Sequence, residues 1–226
     1  MYRIHGWSAL GGAALLLAAC GGGGSNFSFP TTSTPTTSTP QQTTVIVPEL
    51  AAGSYVVSTG DANAPTVGKY YAAADGSSLL VLADDTDKAT QTYRREVKGS
   101  WVAVPAAAQN VNLSLLQSNA LPDASAAVSK VAGHYRVAIS TGSNADFTVA
   151  ADGSITSGST SCKLSGKVTE GKLPNTLKVT LAASGCDPLP ASASGVVAID
   201  TDYAPAGFRL VADDGSRIAE LWAYAD

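Results

Sequence analysis

Histidine is the side chain whose scarcity most limits the chemistry open to this chain. Only His5 and His134 occur among 226 residues. A Ser-His-Asp or Cys-His site needs an imidazole as general base, and a catalytic zinc needs three protein ligands. His134 stands beside Tyr135 in a run with a period of two, so His134 faces solvent if Tyr135 faces a core. We therefore expect no catalytic or zinc-binding role for His134.

Carboxylates are the remaining candidates for acid–base or metal chemistry. Asp84, Asp85 and Asp87 have the one-three spacing of a calcium loop, but its central Gly and distal Glu are missing. The glutamates lie far apart in sequence, so no acid–base pair is indicated, although distant carboxylates can form one. No Gly-x-Ser-x-Gly or Walker motif occurs. We predict solvent-exposed turn carboxylates, no metal, no cofactor and no enzymatic activity.

Aromatic and basic residues form the best candidate for a ligand or partner surface. Tyr70 and Tyr71 are consecutive in a predicted strand, so we expect one in a core and the other at the surface. Arginines follow Tyr93 directly, as on a carbohydrate or anion-binding surface. Packing of the aromatic rings in a core, with the charges at its rim, is the default interpretation, and a surface is the alternative. The predicted surface residues are Tyr71, Tyr93, Arg94 and Trp101.

Short runs of Val, Ile, Thr and Tyr with a period of two predict an all-β, antiparallel fold from residue 43 onward. The Asp-Gly dipeptides at 75–76, 152–153 and 214–215 predict two-residue type I′ hairpin turns, because Asp and Gly tolerate positive φ. The predicted strands are 54–59, 67–74, 78–83, 90–97, 100–104, 111–116, 134–140, 145–151, 154–159, 162–168, 176–183, 195–200, 207–212 and 217–224.

An internal repeat subdivides this region. Ala52-Gly53-Ser54-Tyr55 and Ala73-Ala74-Asp75-Gly76-Ser77 recur in the same order as Ala132-Gly133-His134-Tyr135 and Ala150-Ala151-Asp152-Gly153-Ser154. A helical turn is predicted before each copy, at 48–52 and at 123–132 with Asp123 as N-cap. The repeat predicts two small β-sandwich or barrel-like units packed together, 43–122 and 123–226. One continuous sandwich or barrel is the alternative.

The amino-terminal segment carries a different signal. The apolar run 9–19 spans about 16 Å as a helix, which is too short for a bilayer of about 30 Å but typical of a secretory signal. Leu17-Ala18-Ala19-Cys20 resembles the lipobox of bacterial lipoproteins. The resemblance implies a signal peptide over 1–19, a diacylglycerol thioether on Cys20, and a fatty acid such as palmitate on the new amine. Gly21, where an Asp marks inner-membrane retention, implies the outer membrane of a Gram-negative cell, facing the periplasm or the outside.

Residues 20–42 predict a lipidated cysteine followed by a disordered tether. A Gly-rich stretch and a twice-written Thr-Thr-Ser-Thr-Pro unit, 31–40, offer no apolar face. As a flexible coil this stretch reaches roughly 25 Å. Without residues 1–19 the chain has 13 Lys and Arg against 18 Asp and Glu, a net charge of −5. Because an acidic surface disfavours phosphate binding, we expect no nucleic-acid partner. The expected membrane contact is made through the lipid on Cys20.

Cys162 and Cys186 remain after the lipidated cysteine. An exported chain with an even number of cysteines favours a disulfide. A bridge between them closes a loop of about 25 residues, worth about 3 kcal/mol in the chain-entropy account. Two reduced structural thiols, or one reactive thiol, are the alternative.

This layout resembles a group of small exported lipoproteins of Gram-negative bacteria with a lipobox, a low-complexity tether and two β-units that open with a Gly-x-Tyr strand. The second unit of that group has an Asp-Gly hairpin, a Cys before a Ser-Gly strand, and a later Asn and Cys, here Asp152, Cys162, Gly166, Asn175 and Cys186. The resemblance implies no activity. We expect a non-catalytic binding or structural module with an envelope protein or glycan partner. A barrel carrying a small apolar ligand and a carboxylate-dependent hydrolase are the alternatives.

Overall fold

The computed structural model describes residues 43–140 and 142–226, which belong to one compact unit. The expected signal peptide 1–19, the lipidated Cys20 and the tether 20–42 lie outside the described residues, so they stay predictions. The described strands are β1 Val45–Ile46, β2 Gly53–Asp61, β3 Ala64–Ala72, β4 Ser78–Ala83, β5 Ala89–Arg95, β6 Val102–Val104, β7 Val111–Asn112, β8 Leu115–Ala120, β9 Gly133–Ser140, β10 Ser143–Val149, β11 Ser154–Ser157, β12 Lys163–Glu170, β13 Thr176–Ser184, β14 Ser192–Ala198, β15 Phe208–Asp213 and β16 Ile218–Ala225.

The predicted all-β, hairpin-rich architecture is confirmed, with local differences. The predicted strand 111–116 is split into β7 and β8, and β7 pairs with β1 in parallel over two residues. The helical turn before the first copy is absent from the described residues. Before the second copy only α1, Val128–Val131, forms, and Ala127 rather than Asp123 is its N-cap. β1, β7 and α1 have two to four residues each, which is too short for a hydrophobic period to define their ends.

Strands β9 to β16 form a closed barrel in which each strand pairs with the next and β16 returns to β9. Inward positions alternate with outward ones, as the period of two requires. The barrel interior is filled by aliphatic side chains and by Tyr135, Phe147 and Phe208, with the Tyr135 and Phe208 ring centroids 4.7 Å apart. This packed interior argues against the expected alternative of an apolar ligand held inside the barrel.

Strands β2 to β6 and β8 form a six-stranded sheet in the order β6-β5-β4-β3-β2-β8. On one face of this sheet, Val57, Tyr70, Leu80 and Tyr93 form a hydrophobic core, and Trp101 is partly buried against them. The sheet lies within the predicted first unit, 43–122, and the barrel within 123–226. Because the described residues belong to one compact unit, the division into two units stays a prediction.

The internal repeat corresponds to repeated structure. β2 and β9 begin at Gly53 and Gly133, and each glycine packs under the ring of the tyrosine two residues later. The loops 73–77 and 150–154 have the same two backbone hydrogen bonds. In each loop the N–H of the first residue donates to the carbonyl of the fifth, and the N–H of the fourth donates to the carbonyl of the first. The matched sequence blocks therefore specify matched hairpins.

The Asp-Gly hairpins exist, but the predicted type I′ turn is wrong because only the glycine of each pair has positive φ, 88° for Gly76 and 83° for Gly153. The aspartate instead stays in the ordinary region and accepts hydrogen bonds from the serine two residues later. Asp152 accepts from the Ser154 backbone N–H at 2.9 Å. This bond, followed by Lys167 and the Ser154 hydroxyl, lowers the pKa of Asp152 to about 2.

The loop 84–88 has the same backbone hydrogen bonds, but Asp87 occupies the position of the glycine with φ 61°. Asp is tolerated in the left-handed region at a cost that Gly avoids. We expect Asp87→Gly to raise the free energy of unfolding by about 0.5 kcal/mol and Asp87→Ala to lower it by about 1 kcal/mol. Urea denaturation of both variants measures this, and equal effects of the same sign would contradict the local strain.

The predicted disulfide is confirmed. Cys162 and Cys186 are bonded, with Cα atoms 4.6 Å apart. Cys162 directly precedes β12 and Cys186 follows β13, and these two strands pair along their length. The bridge therefore closes the open end of the β12–β13 hairpin of the barrel.

Candidate functional site

Tyr70 and Tyr71 are both buried, so the expectation that one of them reaches solvent is wrong. The sheet is covered on both faces. Tyr70 packs in a core on the face of the sheet that points away from the barrel. Tyr71 packs on the other face, against Val196 and Val211 of the barrel. Alternation along β3 still holds, but it separates two cores instead of a core and a surface.

The four predicted surface residues do not share one face, which corrects the expectation of a single aromatic and basic surface. Tyr93 is buried beside Tyr70, and Trp101 packs on the same core with its ring 6.2 Å from that of Tyr70. Tyr71 and Arg94 lie on the opposite face, toward the barrel. The rings are buried and not exposed because both faces of the sheet have apolar area to remove from water.

The sheet packs against the outer wall of the barrel through an apolar cluster. Tyr71 and Leu79 of the sheet contact Val196, Tyr203 and Val211 of the barrel side. The Tyr71 and Tyr203 hydroxyls are 3.4 Å apart, and burial, followed by the nearby Tyr203, raises the pKa of Tyr71 well above its usual range. Sequence periodicity cannot identify such a cluster, because it joins the outward positions of the barrel strands to one face of a separate sheet.

Three ion pairs surround this apolar cluster. Lys69 of β3 binds Asp200 at 2.7 Å, and Arg94 of β5 binds Asp213 of β15 through both carboxylate oxygens at 2.5 and 2.7 Å. The third pair is Arg209 with Glu220, in which both side chains are less than one-tenth exposed. Each pair satisfies charges that packing of the two layers removes from water.

Arg209 and Glu220 form the most buried of the three ion pairs. Their closest atoms are 2.7 Å apart. The guanidinium also donates to the Asp87 carbonyl at 3.0 Å, and the carboxylate accepts from the Ala89 backbone N–H at 2.7 Å. Both of those backbone groups belong to the β4–β5 hairpin, so the Arg209–Glu220 pair of the barrel holds this hairpin against the barrel wall. The Trp222 ring lies under the guanidinium at 5.0 Å.

An open groove of about 1040 Å³ runs beside the contact, between the sheet and the barrel. Thr180 and Ser194 lie opposite each other on β13 and β14, face outward and line the barrel side of the groove. Leu79, Thr92 and Arg94 line the sheet side. We call this space the interface groove. Its volume is at the upper end of the range for ligand sites.

The interface groove mixes apolar and hydroxyl side chains with charges of both signs. Lys172 and Lys178 line it, as do Glu96 and Glu170. Lys172 binds Asp75 at 2.8 Å, whereas Lys178 has no ion-pair partner among residues 43–140 and 142–226. Such a groove can hold a polar segment of another molecule through hydrogen bonds and charge contacts.

Sequence reasoning identified Arg94 at this groove and missed Lys178, Thr180 and Ser194. The alternation along the predicted strand 176–183 does assign Lys178 and Thr180 to one face. No signal within the sequence indicates that a sheet from elsewhere in the chain borders that face.

His134 and Asp84, the remaining candidates from the sequence, form hydrogen bonds within their own hairpins. His134 is exposed and Tyr135 buried, as predicted, and the His134 ring is 2.9 Å from the Thr148 hydroxyl. Asp84 accepts bonds from Thr86 and Lys88 within its own loop. Within the described ranges no three metal-ligating side chains come together, and no helix has the length and apolar character needed to span a bilayer.

Comparison of the chain with protein-family models, with curated proteins and with solved structures finds no match.

Proposed function

We propose that this chain is a lipid-anchored envelope protein whose β-structure is a non-catalytic binding module, with the interface groove as its binding site. The observation that carries the proposal is the preformed groove, whose walls are held at the contact of sheet and barrel by the Arg94–Asp213 pair and its two companions. A preformed site avoids the entropy of ordering its walls on binding.

The use of the buried charges supports binding over catalysis. Asp200, Asp213 and Glu220 are the buried partners of the three ion pairs, each with a side chain about one-tenth exposed or less. Each of these carboxylates accepts hydrogen bonds from its cation and so acts as a structural acceptor in the contact. A general acid or base must instead reach a proton of the substrate.

The lining favours an extended polypeptide segment as the bound partner. Leu79, Val196 and Val211 give apolar contact, Thr180 and Ser194 offer hydroxyls, and charges of both signs stand around them. An apolar centre with a polar rim is the usual anatomy of a protein interface. Among the described residues no aromatic ring lines the groove to stack against a sugar.

A site-directed crosslinking experiment tests the groove. A photoreactive residue at Thr180 in the full chain should capture an envelope protein, and one at Thr156, exposed on β11 and outside the groove lining, should not. Thr180→Trp, which fills the groove, should then weaken binding of the captured protein at least about tenfold, as expected when an anchoring contact is lost. Thr156→Trp is the matched control.

Equal binding to Thr180→Trp and to the parent would contradict the groove as the site. Capture of a glycan instead of a protein would contradict the polypeptide ligand. Lys178→Glu offers an independent check, because the unpaired cation is expected to contact the partner; it should slow association at low salt more than at high salt.

The membrane anchor is a separate part of the proposal and rests on the lipobox resemblance at Cys20. Several acyl chains hold a protein on a bilayer, whereas one chain binds reversibly. We expect Cys20→Ser to move the protein from the outer-membrane fraction to the soluble fraction, with its disulfide and β-structure retained. Fractionation of envelopes with the Ser25→Ala variant as control measures this. Unchanged fractionation of Cys20→Ser would contradict the anchor.

A further inference from the structure

The edge strand β8 differs from every other strand described here in how little of it is covered. It pairs with β2 on one side and, among the described residues, with no strand on the other. Residues 116–120 are all exposed, so neither face of the strand is covered. Exposed edges present a row of unpaired N–H and C=O groups to any added strand.

The hydrogen bonding to β2 defines which groups are free. The Leu121 N–H donates to the Ser54 carbonyl, and pairs in an antiparallel ladder alternate between bonded and non-bonded. Asn119 and Gln117, opposite Val56 and Ser58, are therefore the bonded residues. The N–H and C=O groups of Ser118 and Ala120 point outward from the sheet.

This edge has no charge, no proline and no shortening to prevent edge pairing, and its one irregularity is a bulge at Leu116, opposite the step from Ser58 to Thr59. Residues 112–121 contain no charged side chain and no proline. The opposite edge, β6, has three residues and is followed by Pro105. Short length and proline are ordinary protections of an edge, and β8 has neither.

The strand is complementary to itself in one antiparallel register. When Ser118 faces Ser118 of a second copy, Gln117 faces Asn119 on either side of it, within the regular part of the strand. Hydroxyl then meets hydroxyl and amide meets amide, which are favourable cross-strand pairs. Without residues 1–19 the chain carries a net charge of −5, so an uncharged edge lets two copies approach with little local repulsion.

We propose that β8 is a self-association surface, at which two copies of this chain pair antiparallel about a two-fold axis through Ser118. The two sheets then join into one continuous sheet across the axis, and the interface groove of each copy stays free. An isologous contact of this kind closes at the dimer. The contact is small, so the dimer is expected to be weak.

Charge complementation tests this pairing in the full chain. Two differently tagged copies are coexpressed, solubilised in mild detergent and recovered through one tag, and the second tag is quantified. Parent copies should be recovered together. Ser118→Asp with itself and Ser118→Lys with itself should each fall about tenfold, and Ser118→Asp mixed with Ser118→Lys should return to the parent level.

Two further variants separate this pairing from other effects. Ser118→Pro removes an outward N–H and leaves the bonds to β2, so it should also reduce recovery about tenfold. The same charge changes at Ser184, an exposed serine on a barrel strand, should have no effect. No co-recovery of parent copies, no rescue in the mixed pair, or parent-level recovery of Ser118→Pro would each overturn the proposal.

Discussion

Arg209→Met is expected to lower the free energy of unfolding by about 3 to 5 kcal/mol, because it leaves the Glu220 carboxylate buried without its cation. The Glu220 side chain is 9% exposed. The variant also removes the donor to the Asp87 carbonyl of the sheet. Guanidinium denaturation followed by tryptophan fluorescence measures the loss, since Trp222 lies against the guanidinium.

The control is the same change at an exposed ion pair. Arg217 is 59% exposed and contacts Asp214 at 3.5 Å, so Arg217→Met should cost less than about 0.5 kcal/mol. A double variant, Arg209→Met with Glu220→Leu, should recover about 1 to 2 kcal/mol relative to Arg209→Met, because no unpaired charge remains. A loss below about 1 kcal/mol for Arg209→Met would contradict a central role for this pair in joining sheet to barrel.

Removal of the disulfide is expected to have the next largest effect. Cys162 and Cys186 are 24 residues apart in sequence, and crosslinking them reduces the conformational freedom of the unfolded chain. Cys162→Ala with Cys186→Ala should therefore lower the free energy of unfolding by about 3 kcal/mol. Denaturant titration of the parent and the double variant gives this difference.

A reductant separates the bridge from the side chains. Reduction of the parent should lower its stability nearly as much as the double variant does, and the same reductant should leave the double variant unchanged. Both sulfur positions are buried, so the alanines remove apolar contacts as well. A parent whose stability is insensitive to reductant would show that pairing of β12 with β13 suffices without the bridge.

The periodicity and turn residues predicted the fold class and the strand positions because both are local properties. Ser78–Ala83 was predicted to the residue, and the matched loops around Gly76 and Gly153 form as repeated hairpins. The turn type was wrong, because the aspartate bonds to the following serine instead of adopting positive φ. Local sequence allows both geometries.

The candidate site was predicted poorly because it depends on which layers meet. Tyr71 and Tyr93, candidates for one surface, are buried as the core-packing interpretation has them, but on opposite faces of one sheet. A strand of alternating residues has two faces, and its sequence does not reveal that a second layer covers the other face. Arg94 does reach the interface groove, but its partner Asp213 is 119 residues away.

The amino-acid sequence by itself indicated the β-strands and the hairpin positions, since alternation and turn residues act over short stretches, and it favoured pairing of Cys162 with Cys186. Only the tertiary structure decided that eight strands close into a barrel and that the other sheet packs on its outer wall. It also decided the groove between them and the free edge at β8. Closure of the barrel joins residues as far apart in sequence as Arg136 and Tyr224, and packing of the sheet on it joins Lys69 to Asp200; such pairings have no local signature.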